Sequence, residues 1–226
     1  MKPEMRPSEQ TGDKFNLKTY FQARTACIEV VGKISRNVVP GMNEADGQEL
    51  IKSEFAKIGV TKFWHPSKFR VGIETLKTFR DVPDQNVKLK PYDMFFLDVG
   101  PVIDHHEADY GETFVLNPLD IKSEKYLELA KKAEIIWEET ANEWKTNKLS
   151  GAELFKYAER LALSLECILN PMMAGHRLGD FPHALFSKDR LFEMDFAPAE
   201  NLWVLEIHIR SPQLERGAFF EDILIS

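Results

Sequence analysis

Four carboxylates stand where apolar strands should run. Asp98 ends MFFLD, Asp109 opens the returning segment DYGETFV, Glu206 interrupts LWVLEIHI and Glu221 interrupts AFFEDILI. Strands disfavour aspartate, and a carboxylate among buried apolar side chains is costly unless it is paired, hydrogen-bonded or bound to metal. Asp98 and Asp109 flank the turn DHHEA, where a hairpin would bring both onto one face. Taken alone, that pair is accounted for by a turn cap and a lysine partner. The same anomaly in the four most apolar strand candidates is harder to reduce to caps. Those runs hold no lysine or arginine except Arg210 at the end of one, so divalent metal is the economical source of compensating charge.

Histidine supplies the remaining candidates. His105 and His106 lie in the turn and are expected to be solvated, His65 begins a His-Pro step, and His208 shares the strand face of Glu206 by period-two alternation. His176 and His183, in MMAGHRLGDFPHALF, are the informative pair. They stand seven residues apart in a glycine-containing stretch, and the Ala-Gly before His176 permits close backbone approach.

The elements that must position these groups follow from periodicity. Leu17, Tyr20, Phe21, Cys27, Ile28, Val31 and Ile34 recur at helical spacing, and a second helix is capped by Asn43, carries Leu50, Ile51, Phe55 and Ile58, and stops at Gly59. Short β-rich pieces follow from 62 to 116. The order then restarts with a helix over 121–145, another opened by the Ser150/Glu153 capping box, and strands near 183–186, 202–210 and 218–225. The pattern predicts an α+β fold of two similar ααβββ halves, with helices covering one face of a mainly antiparallel sheet and a site in the seam. Residues 1–15 read as a flexible N-terminal tail and 16–226 as a single domain.

With 226 residues, 43% of them hydrophobic, the chain can bury a real core, and a net charge of −7 excludes a general nucleic-acid or anionic-membrane binder. A charged, proline-containing N-terminus and the lack of any run of about 18 apolar residues point to the cytoplasm. Cys27 and Cys167 fall on apolar helical stripes and read as buried free thiols.

From about residue 16 to the end, the sequence resembles the metallopeptidases that include methionine aminopeptidase, aminopeptidase P and prolidase, the M24 family, with creatinase as a relative. LDVG with Asp109 in DYGETF is similar to the family's two-aspartate hairpin, AGHRLGDFPH to its GHGIG-x-x-x-H block, and WVLEIHI and FFEDILIS to its two glutamate strands. The resemblance implies the pita-bread fold and a stand-alone catalytic domain. It also implies metal ligands Asp98, Asp109, His176, Glu206 and Glu221 around two divalent ions. Asp109 and Glu221 would bridge the ions, Asp98 would complete one site, and His176 with Glu206 the other. Mixed nitrogen and oxygen donors suit manganese, iron, cobalt or zinc. Two such ions sharing an activated water would hydrolyse an amide bond, with Glu206 as proton shuttle and His183 donating to the developing oxyanion. A peptide or small-molecule substrate is implied, and a homodimer by analogy.

The departures concern substrate. Phe79 stands where such aminopeptidases carry a substrate-facing histidine, Phe219 where proline-specific members have an arginine, Ala184 follows His183 where an acid is usual, and Ile207 follows Glu206 where proline is usual. Phe79, Phe219 and His208 are therefore the expected substrate contacts, making a pocket more apolar than a dipeptide requires; packing in the core is the alternative for the two phenylalanines. Two further functions stand beside the peptidase: the same metal centre acting on a small metabolite, and a binding module without catalysis.

Overall fold

The computed structural model describes residues 6–225. Helices α1 (Leu17–Asn37) and α2 (Glu44–Ala56) precede strands β1 (Lys68–Val71), β2 (Met94–Val99), β3 (Val102–Ile103), β4 (His106–Glu107) and β5 (Tyr110–Val115). Helices α3 (Glu124–Asn147) and α4 (Gly151–Ser164) then precede β6 (Ile168–Leu169), β7 (His176–Arg177), β8 (Trp203–Ser211) and β9 (Arg216–Ile223). The expected helix pair followed by strands thus occurs twice.

Each half caps its second helix in the same way. Asn43 and Asp46 form a reciprocal capping box on α2, and Ser150 and Glu153 form the predicted one on α4. Such a cap contributes about 1 kcal/mol by satisfying amides that the first helical turn leaves without partners.

The main sheet runs β1-β2-β5-β9-β8-β6, with β7 also paired to β8, and the pairings are antiparallel. The last strand of each half, β5 and β9, meet at the centre through Gly111↔Glu221. Alternation sends Phe95, Leu97 and Val99 of β2 into a core with α1 and α2, and Leu205, Ile207 and Ile209 of β8 into a core with α3 and α4. Phe220 packs against both cores. Asp98, Glu206 and Glu221 have the opposite parity and point away from the helices.

Several expectations change. Residues 183–186 form a turn and a bend, not a strand. His106 is buried: its Nε2 accepts from the Asn16 amide at 2.8 Å, and its ring packs on Phe15 and Tyr20. Within the expected tail, residues 6–15 touch the rest of the chain: Arg177 donates to the carbonyls of Ser8 and Gln10, Glu9 accepts from the Ala199 amide, and the Gly12 amide donates to Asp180. Residues 1–5 of that expected tail lie outside the described residues. Cys27 and Cys167 are buried free thiols as expected.

Candidate metal centre

Strand register builds the site. Asp98 pairs with Gly111, Gly111 with Glu221, and Glu221 with Glu206, so a single row crosses β2, β5, β9 and β8. Directly opposed residues share a face, which gathers three carboxylates over one glycine. A Cβ on Gly111 would lie 2.4 Å from the Phe219 ring and 2.8 Å from Glu221 Oε1. Glycine there leaves the centre of the row open. Asp109 enters from the residue just before β5, and His176 from β7, where it pairs with Val204.

These groups line one cavity of about 340 Å³. His176 Nε2 lies 3.0 Å from Asp109 Oδ2 and 3.7 Å from Glu206 Oε1. Glu206 also accepts from the Gly175 amide at 3.0 Å. Two groupings of donor atoms could each hold a metal ion: Asp109, His176 and Glu221, and His65, Asp98 and Asp109. Asp109 belongs to both.

The electrostatics favour a cation. Burial pushes the Glu221 carboxyl well above the usual range, and the charges of Asp109, Asp98 and Glu206 push it further. Burial likewise raises Asp98 and Glu206, against the opposing pull of His65 on the first and His176 on the second. Burial would raise Asp109 too, but the hydrogen bond from His176 and the nearby charge of His65 hold it at about 2. Burial works against His176 ionising, yet its hydrogen bond to Asp109 and the charges of Asp109 and Glu206 carry it to about 9. Carboxyls that burial and neighbouring acids make harder to ionise are ones whose ionised form a divalent ion would favour. Asp109 Oδ1 and Glu221 Oε1 are buried, with no hydrogen-bond partner among the described residues. A donor set of this kind fits a metal.

His183 lines the same cavity. Its Nδ1 donates to Glu107 Oε2 at 2.9 Å, and its ring stacks on Trp64 with centroids 3.8 Å apart. A carboxylate on Nδ1 fixes the ring's orientation. Trp64 Nε1 donates in turn to the Ala108 carbonyl at 3.0 Å.

The three expected substrate contacts separate. Phe79 lines the cavity and is 44% exposed. Arg70, fully buried and paired with Glu44 at 2.6 Å, donates to the carbonyls of Thr78 and Asp81 and so holds the turn that presents it. Phe219 is absent from the lining and packs in the core with Phe96 and Met173. His208 has the face expected from alternation but lies one row away, opposite Phe219. Its Nε2 lies 2.8 Å from the Thr75 carbonyl and its Nδ1 3.0 Å from Asn170, and burial pulls its pKa down to about 4. Of the three expected substrate contacts, Phe219 and His208 are thus engaged by neighbouring protein groups, whereas Phe79 lines the cavity.

Residues 19–225 match the model of metallopeptidase family M24. The chain belongs to metallopeptidase family M24. Its structure is similar to that of methionine aminopeptidase from Thermotoga maritima, with a TM-score of 0.72 and 16% identity over 96% of this chain and 94% of that one. It is also similar to a prolidase from Pyrococcus horikoshii OT3, with a TM-score of 0.70 and 15% identity over 96% of this chain and 60% of that one. A dipeptidase from the same organism gives a TM-score of 0.72 and 18% identity over 92% of this chain and 56% of that one. The last two are thus matched over less than two thirds of their length. Identities this low establish the pita-bread fold and nothing finer. Among curated proteins nothing matches the chain. No helix among the described residues is long and apolar enough to cross a membrane.

Among the cavity residues, the M24 motifs pointed to the acids, His176 and His183. They did not point to His65, Trp64, Lys68 or Met173, which also line it, nor to Glu107 behind His183. The one available signal was the carboxylate at Glu107, two residues before Asp109 in a turn otherwise read as a connector.

Proposed function

We propose that this M24 chain is a dinuclear metal-dependent hydrolase that cleaves an amide bond in a peptide or small amide substrate, in the manner of an aminopeptidase or dipeptidase. The observation that carries the reading is the pair of unpartnered buried oxygens, Asp109 Oδ1 and Glu221 Oε1, inside a cluster of four carboxylates. Asp98, Asp109, His176, Glu206 and Glu221 are the proposed ligands, with Asp109 and Glu221 shared. Four carboxylates balance the charge of two divalent ions, and mixed nitrogen and oxygen donors suit manganese, iron, cobalt or zinc. When bound, such ions supply Lewis acidity and lower the pKa of water.

The chain's own groups do the rest. Glu206, held by the Gly175 amide and facing His176, is placed to take a proton and return it to the leaving amine. His183 carries its Nδ1 hydrogen toward Glu107, which turns Nε2 toward the substrate, where with a second hydrogen it donates to the substrate carbonyl. Trp64, Phe79 and Met173 give the cavity apolar walls that exclude water and favour an apolar group beside the scissile bond. The test is metal content by elemental analysis after reconstitution, followed by Met-X, X-Pro and Pro-terminated peptides offered to the loaded protein. Two bound ions and turnover of one peptide class are expected. Two ions with uniform inactivity would move the reading to non-peptidase chemistry on a small metabolite. Loss of stoichiometric metal would leave only a binding module.

A further inference from the structure

His65 belongs to none of the M24 motifs in this sequence, yet it is held at the metal centre. It sits in the connection between α2 and β1, where Phe63 bridges to Pro101 and the Trp64 amide donates to the Gly100 carbonyl at 2.9 Å. These bonds strap the segment across the β2–β5 hairpin. A Cβ on Gly100 would lie 2.2 Å from the His65 ring, so glycine is what lets the imidazole in. His65 Nε2 then lies 3.4 Å from Asp98 Oδ1 and 3.5 Å from Asp109 Oδ1.

Those separations are long for a charge-assisted hydrogen bond, which runs about 2.7–2.9 Å. They suit donors sharing an ion. Two ligand atoms each about 2.1 Å from a metal, at angles between octahedral and tetrahedral, stand about 3.0–3.4 Å apart. Nε2 has no hydrogen-bond partner among the described residues, and neither has Asp109 Oδ1 opposite it. On the far side of the ring, Nδ1 lies 3.1 Å from the Pro66 carbonyl. A carbonyl only accepts, so Nδ1 keeps its hydrogen and Nε2 is the atom turned toward the two carboxylates. That arrangement calls for a cation among the three groups: a proton on Nε2, for which the separations are long, or a metal ion shared by all three. His176 repeats the arrangement on the other side: its Nδ1 lies 2.9 Å from the Arg177 carbonyl and its Nε2 faces Asp109 Oδ2. Asp109 is thus flanked by two imidazoles, one on each oxygen, each anchored through Nδ1 to the carbonyl of the following residue, a device that orients metal-bound histidine.

We propose that His65 is a sixth protein ligand, joining Asp98 and Asp109 at one site while His176 serves the other, so that each ion has one imidazole. This rests on the dinuclear reading above and adds a neutral donor without altering its charge balance. Nitrogen in both sites disfavours magnesium and calcium, which prefer oxygen alone, against zinc, cobalt or iron.

Cobalt loading of the purified full chain tests it. A histidine bound through Nε2 keeps its Nδ1 hydrogen, which appears in the proton NMR spectrum as a hyperfine-shifted signal that disappears in deuterated water. The wild-type protein carrying two equivalents of cobalt should show two such signals. His65→Ala should remove one of them and weaken one equivalent by about tenfold or more in calorimetric titration, leaving the other unchanged. The wild-type spectrum needs no variant to fold. Two bound equivalents with a single exchangeable imidazole signal, or an unaltered titration in His65→Ala, would remove His65 from the ligand set and leave the dinuclear reading intact. Fewer than two equivalents in the wild type would overturn the dinuclear reading and the His65 assignment with it.

Discussion

The two halves of the molecule bring similar groups to the cavity by different means. The first half contributes His65, Asp98 and Asp109, and the second His176, Glu206 and Glu221. In the second half the sheet does the placing: Glu206 and Glu221 are directly paired, and His176 lies on β7, hydrogen-bonded to the same strand that carries Glu206. In the first half only Asp98 lies within a strand. Asp109 stands at the entry to β5, and His65 lies on a connection strapped down by Phe63 and Trp64. Short aspartates beside open glycine positions do in one half what longer glutamates on paired strands do in the other. A repeated fold therefore fixes where groups meet, while the side-chain length needed at each place depends on how far the backbone stops from the centre.

The comparison breaks most readily at Asp109, the residue both groupings share. Asp109→Asn is expected to weaken both metal equivalents by about 100-fold or more each; calorimetry that finds only one equivalent affected would show that the halves do not share it. Next in size, Arg70→Met strands Glu44 in the first half and is expected to cost about 3–5 kcal/mol in urea unfolding, since the pair is fully buried. Where the variant still folds, loss of the Thr78 and Asp81 anchors should raise KM more than it lowers kcat.

Within the second half, His183→Ala is expected to lower kcat by about 10²–10³ with metal content unchanged. Glu107→Gln, which can still accept from Nδ1, should fall well short of that. Equal losses in the two variants would assign Glu107 more than a positioning role. At the seam, Gly111→Ala forces a methyl group against Phe219 and Glu221. It should cost about 1–3 kcal/mol, read as a lower urea midpoint with an unchanged slope. The smallest effects compare the caps: Ser150→Ala should cost about 1 kcal/mol, and Asn43→Ala somewhat more, because Asn43 Nδ2 also donates to the Gln85 carbonyl at 2.8 Å.

Much of this was legible in the sequence because its signals are local. Helical periodicity located α1 to α4, the Ser150/Glu153 box marked the start of α4, and acids within apolar strands exposed Asp98, Glu206 and Glu221 as out of place. Alternation placed His208 on the correct face but was silent about what covers it, and burial against Thr75 and Asn170 decided that. His106 read as solvated because a turn usually is, whereas α1 and the segment before it close over this one. Phe79 and Phe219 are the same residue type with the same two sequence-level readings; a turn pinned by Arg70 put one in the cavity, and the centre of the sheet put the other in the core.

The sequence by itself determined the elements, the repeated order of the halves and the acids that no ordinary strand would carry, because spacing of 2 or 3.6 and the cost of a buried charge act along the chain. Only the tertiary structure decided that His65, thirty-three residues before Asp98, faces it, that Glu107 supports His183, and that Gly100 and Gly111 are the openings through which these groups meet. Those are contacts across strands and connections. They depend on register, on backbone hydrogen bonds between distant segments and on the absence of a Cβ, none of which a periodic pattern records.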